Sequence, residues 1–279
     1  MKLIFQKTMV ALFATIVYSN TIAQVKTPCG TFDANKKMEA LHPDEVHEAE
    51  AILEAETRAY EQNRSVNAVN YTIPVVFHIL HTYGTENISD AQIEDAMMIL
   101  NRDYNKQNPD TANIVAAFQG IAANVGITFK LAKLDPNGNC TNGIDRIYSP
   151  LTNIADDDAK LNIWPRNKYL NVWVVKNISS GAAGYSMYPS SVQGASGSLV
   201  DGVMILHNYV GSIGTGSNSR SRALTHEIGH WLNLPHPWGN SNSPGVSSNC
   251  SIDDGVSDTP NTVGWTSCNL IWCQLRLCT

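Results

Sequence analysis

The sequence predicts an α/β (α+β) fold: one twisted, mixed sheet with a chemistry-bearing helix near its C-terminal end. Three observations lead there. The 279 residues are 43% apolar and only 16% charged, enough apolar side chain for a sizeable core and too much for a disordered chain. Apolar runs of strand length recur along the chain, separated by helical patterns, in the order β-α-β-β-β-helix. No self-similarity at 20–50 residues marks a repeat architecture. A net charge of -6 supplies no basic face for a nucleic acid.

The elements follow in order. Lys2 and Lys7, the apolar run Met9–Tyr18, and Thr21 and Ala23 ahead of Gln24 form the three-part layout of a secretory signal peptide. Half the ~20 apolar residues of a membrane span are present, so residues 1–23 are read as an export signal. The mature protein is expected outside the cell, with no membrane contact once the signal is gone. Six cysteines in an exported chain favour pairing, but they allow fifteen connectivities and the sequence selects none. Residues 24–70 form a unit of their own. Pro43–Arg64 has acids early, basic residues late, and a modest apolar stripe of Val46, Ala49, Ile52, Leu53 and Tyr60, the pattern of a helix. Polar residues 63–70 read as a linker.

From Tyr71 the texture changes. Ile73–Leu80 is a buried strand; Ser89 or Asp90 caps a helix that ends near Asn105; Gly126–Leu131 alternates as a strand. Asp135-Pro-Asn-Gly-Asn139 is a turn. Lys168–Val175 and Gly202–Leu206 are further strands, a Gly/Ser-rich loop covers 211–221, and a helix runs from Arg222 to about Asn233. After Pro235 turn-forming residues dominate.

The chemistry is concentrated in Thr225-His-Glu-Ile-Gly-His-Trp-Leu-Asn-Leu-Pro-His236. His226 and His230 stand four apart, so on a helix they share one face and can chelate one ion. Glu227, beside the first, can reach a metal-bound water without ligating the metal. A tetrahedral catalytic zinc with one open position needs a third ligand. No glutamate follows Glu227, and His236 is the best placed candidate. For it to swing back, the helix must stop after His230. Asn233 suits the left-handed conformation that ends helices, and Pro235 excludes Leu234 from the α region. The remaining histidines (42, 47, 78, 81, 207) lack ligand spacing and read as ordinary surface or core residues.

This pattern, His226-Glu227-x-x-His230-x-x-Asn233-x-x-His236, resembles the zinc motif of the metzincins, with Asn233 where glycine is usual. Asp253-Asp-Gly-Val-Ser-Asp-Thr-Pro-Asn261, flanked by Cys250 and Cys268, is similar to the pappalysin (ulilysin- or cytophagalysin-like) branch. So are Ile73–His78 and Asp135–Cys140. The resemblance covers roughly 71–268. It implies a metzincin-like zincin domain divided by a cleft and an endopeptidase that cleaves proteins or peptides with Glu227 activating the zinc-bound water. It also implies calcium at Asp253, Asp254, Asp258 and Thr259, whose oxygens are hard ligands. Related enzymes carry pro-segments, and in some a cysteine thiolate occupies the open metal position. Cys29 suits that latency role; a disulfide, for instance with Cys140, is the other reading. The implied division is signal 1–23, pro-segment 24–70 and catalytic domain 71–279.

One departure from the family matters. A methionine turn beneath the zinc and a tyrosine two residues beyond that methionine are expected, yet the last methionine is Met204 and the last tyrosine Tyr209. The expectation is a catalytic domain truncated at its C-terminal end, with Cys273 and Cys278 in an aberrant tail. A zinc-binding homologue of weak or no activity, acting as a binding protein, is the alternative function. No feature fixes an oligomeric state.

Overall fold

In the computed structural model, residues 29–62, 70–194, 197–239 and 241–264 are described. The export signal, the linker up to residue 69 and the tail from Trp265 lie outside them.

Two helices lead: α1 (Thr31–Leu41) and α2 (Pro43–Gln62). Strand β1 (Tyr71–His81) then opens the sheet, followed by α3 (Asp90–Tyr104) and the one-turn α4 (Ala116–Gln119). Strands β2 (Ile127–Leu131), β3 (Ile144–Tyr148), β4 (Leu170–Val175), β5 (Gly184–Ser186) and β6 (Val203–Leu206) come next, and α5 (Ala223–Trp231) closes the order.

The sheet runs β2-β1-β4-β6-β5, with β3 also paired to β1. The length of β1 explains this: residues 71–75 pair with β2, and residues 77–81 pair with β3 farther along the same side. The other side pairs with β4. These ladders and β4–β6 are parallel; β5 alone runs antiparallel, on β6. A parallel strand covered on both faces is apolar throughout, which is why the runs in β1, β4 and β6 are continuous. Their alternate side chains separate into two cores. Phe77, Val172, Val174, Val203 and Ile205 meet α3 and α5 through Ile93, Leu100, Leu224 and Ile228. Leu80, Trp173, Val175, Met204 and Leu206 meet Met38 of α1 and Tyr185 of β5 on the opposite face.

The mixed sheet and the predicted strands agree with the sequence reading. Ser89 caps α3, its side chain accepting from Gln92 N at 3.2 Å, and Asp135 Oδ1 accepts from the backbone of Asn137 and Asn139 in the expected turn. Besides the one-turn α4, three elements were not foreseen. α1 has no clear apolar stripe, β3 (Ile-Asp-Arg-Ile-Tyr) is interrupted by charge, and β5 has only three residues. Along α2, Val46 and Ala49 are buried, but Ile52 and Tyr60 are exposed. The predicted stripe is therefore real only in the first half, where the helix meets the body of the protein.

Candidate metal centre

Helix α5 is anchored at its start by charge and at its end by backbone geometry. Arg222, its N-cap residue, donates to Asp110 Oδ2 at 2.6 Å and Asp103 Oδ1 at 3.2 Å. Thr225 Oγ1 donates to the other oxygen of Asp103 at 3.1 Å. Leu224 and Ile228 are buried in the core, which turns His226 and His230 toward the opposite side. At the C-terminal end, Asn233 takes φ 72°. The Leu234 amide then bonds Gly229 O at 3.0 Å and the Asn233 amide bonds His230 O at 2.9 Å. This pair of bonds is a Schellman motif, and it stops the helix where the sequence requires.

The break returns the chain to the metal face. His226 Nε2 and His230 Nε2 are 3.0 Å apart, and the ring of His236 lies 4.7 Å from that of His230. One ligand atom from each, together with Cys29 Sγ, falls within a 4.8 Å group. Two of the three outer nitrogens face backbone oxygens. His230 Nδ1 faces Leu234 O at 2.6 Å and His236 Nδ1 faces Ser241 O at 3.2 Å, so each ring keeps its Nε2 lone pair for the centre. Trp238 stacks on His236 at 4.3 Å. Burial lowers the affinity of all three imidazoles for protons, His226 to about 3 and His236 to about 4. Neutral imidazoles are what a metal needs.

Glu227 is buried beneath this group. Burial raises its carboxyl to about 8, against opposing hydrogen bonds from Thr31 and Cys29. Gly184 of β5 packs against it so closely that an added Cβ would lie 3.1 Å from Glu227 Cγ. Cys29 is a free, buried thiol whose Sγ lies 3.4 Å from His230 Nε2 and 3.8 Å from Glu227 Oε2. Cys140 is free and exposed, so the disulfide reading for the pair fails. Burial, then the charge of Glu227, push the Cys29 thiol up to about 12; a cation among the four donors would reverse that effect.

The donor set fits zinc. Tetrahedral bonds of roughly 2.05 Å to nitrogen and 2.3 Å to sulfur place neighbouring nitrogens roughly 3.3 Å apart, and nitrogen and sulfur roughly 3.6 Å apart. The separations of 3.0 Å and 3.4 Å lie close to these. A cleft of about 380 Å³, with Cys29, Tyr209, Arg220, Glu227 and Trp238 in its walls, opens on the group.

The calcium expectation is not supported. Asp253 and Asp254 turn their carboxylates to the Gly255 and Val256 amides. Among the described residues, Cys29 and the three histidines form the one grouping of three or more potential His, Cys, Asp or Glu ligands. Short-range backbone turns engage one oxygen of each of these two aspartates. Of the other histidines, His78 is buried between Asp145 and Asn171 and stacked on Trp173, and His81 accepts from the Tyr83 amide. Sequence reasoning missed Thr31 and Gly184, which contact Glu227 through the fold alone, and the two backbone oxygens behind His230 and His236.

Comparison with known proteins agrees with this geometry. Residues 153–278 match the peptidase M43 family described as pregnancy-associated plasma protein-A. An extracellular metalloprotease of Arthroderma benhamiae is 24% identical over 251 residues, 89% of this chain and 77% of the relative. Mature mirolysin of Tannerella forsythia, solved with a cleaved peptide, is 37% identical with a TM-score of 0.63, covering 70% of this chain and 73% of mirolysin. The chain belongs to the pappalysin family of metallopeptidases. A mutant of promirolysin from the same organism aligns with this pappalysin over 84% of the chain and 76% of its own length, at 34% identity and TM-score 0.69. The metzincin-like fold is thus common to both forms.

Proposed function

We propose that this pappalysin is the latent form of an exported zinc endopeptidase, with residues 1–23 as export signal, 24–70 as pro-segment and 71–279 as catalytic domain. The observation that carries the reading is the convergence of Cys29, His226, His230 and His236 beside buried Glu227. His226, His230 and His236 are the resident ligands, and Cys29 fills the fourth position until the pro-segment is removed. Promirolysin aligns with 84% of the chain and mature mirolysin with 70%, a difference of about 39 residues. Cys29–Gln62 is of that order.

Zinc held there supplies Lewis acidity, acidifying a water and polarising a carbonyl. The chain's own groups do the rest. Glu227 takes a proton at its carboxylate and returns it to the leaving amine; burial and the flank of Gly184 restrict its motion. Leu234 O and Ser241 O hold the imidazoles of His230 and His236 in one tautomer. Once the pro-segment leaves, the outer edge of β5 offers backbone groups to which an extended peptide can add as a strand. This suits proteins or peptides as substrates. Export agrees with the names of the fungal relatives, and with Cys250 being disulfide-bonded.

The test is Glu227→Ala, compared with the wild type after an added protease has removed the pro-segment from both. Hydrolysis of a casein substrate is expected to vanish while elemental analysis still finds zinc at the wild-type stoichiometry. Retained hydrolysis would overturn the mechanism; lost zinc would place Glu227 among the ligands.

A further inference from the structure

Cys29 is not the sole group of the N-terminal unit that enters the site. Two residues on, Thr31 is completely buried. Its Oγ1 accepts from the Ser186 amide of β5 at 3.0 Å and donates to Glu227 Oε2 at 2.9 Å. The direction of these bonds is fixed: the N–H of Ser186 can only donate, so it uses a lone pair of the hydroxyl, and the hydroxyl proton is left for the carboxylate. One helical turn later, Asn35 continues along the same strand. Its Nδ2 donates to Ser186 O at 3.0 Å, and its Oδ1 accepts from the Tyr188 amide at 2.7 Å. Gly30 N adds a bond to Gly184 O at 2.8 Å. The short edge strand therefore has its open hydrogen-bonding groups occupied by α1 and the residues just before it. Most are taken by side chains at i and i+4 of a helix rather than by a strand.

We infer that Thr31 is a second latch of the latent state: one hydroxyl immobilises the general base Glu227 and blocks the Ser186 amide. Loss of the Cys29 thiolate from the metal then leaves the cleft closed until Thr31 also withdraws. This rests on the latency reading above but adds a separate contact with its own energetics. A hydrogen bond to a buried carboxylate is among the stronger kinds, and valine matches threonine in shape without the hydroxyl.

The test uses the full chain and reads accessibility, not activity. Cys29 alkylation by iodoacetamide is followed by mass spectrometry in chelator-treated protein, with exposed Cys140 as the internal reference for an open thiol. Thr31→Val is expected to speed Cys29 labelling at least about five-fold, the effect of roughly one hydrogen bond. In a Glu227→Ala background the same change is expected to accelerate labelling by a smaller factor, because only the bond from the Ser186 amide is left to lose. Thr31→Ser, which keeps the hydroxyl, should label like the wild type and guards against a folding defect. Equal acceleration by Thr31→Val in both backgrounds, or none in either, overturns the latch. Zinc-loaded samples address the thiolate separately: zinc is expected to slow Cys29 labelling in every variant. No effect of zinc would remove the cysteine–metal reading and leave the Thr31 result, obtained without metal, standing.

Discussion

Asn233 concentrates the dependence of the metal centre on backbone geometry in one residue. It sits at φ 72°, and its conformation sets up the two bonds that end α5, to His230 O and Gly229 O. Replacing it with valine puts a β-branched side chain in the left-handed region, at a cost of about 1–2 kcal/mol. Glycine carries no such penalty. The valine chain either bears the strain or lets the helix run on. Running on moves Leu234 O from its place 2.6 Å from His230 Nδ1 and carries His236 away from the site. Loss of such an outer partner weakens metal binding by about 10–100-fold. The assay is zinc competition against a fluorescent chelator, together with thermal unfolding of the metal-free chain. At ~2–4 °C per kcal/mol for a domain of this size, Asn233→Val is expected to melt about 2–8 °C lower and to bind zinc about 10–100-fold more weakly. Asn233→Gly should stay near wild type in both. Wild-type behaviour of the valine variant refutes the reasoning. So does a glycine variant that falls as far as valine, since that would make the amide side chain, not the backbone angle, the important feature.

Two further outcomes follow from close contacts. Gly184→Ala places a methyl 3.1 Å from Glu227 Cγ and 3.2 Å from Met204 O; displacing the base is expected to lower kcat/KM by up to about 100-fold with zinc content unchanged, as read by peptide hydrolysis after pro-segment removal and elemental analysis. Glu86 concerns acid stability. Burial alone would raise its carboxyl, but hydrogen bonds from the Thr82 and Gly84 amides and the Thr82 hydroxyl prevail and hold it at about 2. Its folded pKa is thus below the 4.5 of a free glutamate, so its contribution is full above pH 4.5 and lost as pH falls toward 2. Urea unfolding should show a decline of at most about 3 kcal/mol from this group over that window, and Glu86→Gln should flatten it; equal acid sensitivity of the two proteins would contradict the assignment.

What could be read from the sequence divides by the range of the interactions. The converging histidines and the helix stop were legible because their geometry is local: His226 and His230 share a helical face by spacing, and Asn233 and Pro235 break the helix through their own backbone preferences. Strands β1, β4 and β6 were legible because burial on both faces leaves an apolar run. Strand β5 was not, because three residues carry no period, yet it frames the cleft. Thr31 was invisible for a related reason. Nothing around Thr31 announces a partner 196 residues away, and only the docking of α1 on β5 brings its hydroxyl to Glu227. The calcium expectation found no support: Asp253 and Asp254 have the right chemistry, but each turns one oxygen to an amide two residues on. An aspartate-rich loop and a cation site have similar compositions, and local turns compete for the same oxygens. Composition therefore located the catalytic chemistry where covalent spacing enforces it. The contacts on which the proposed latency rests depend on tertiary docking, which places Cys29 and Thr31, two residues apart, on the clustered histidines and on Glu227.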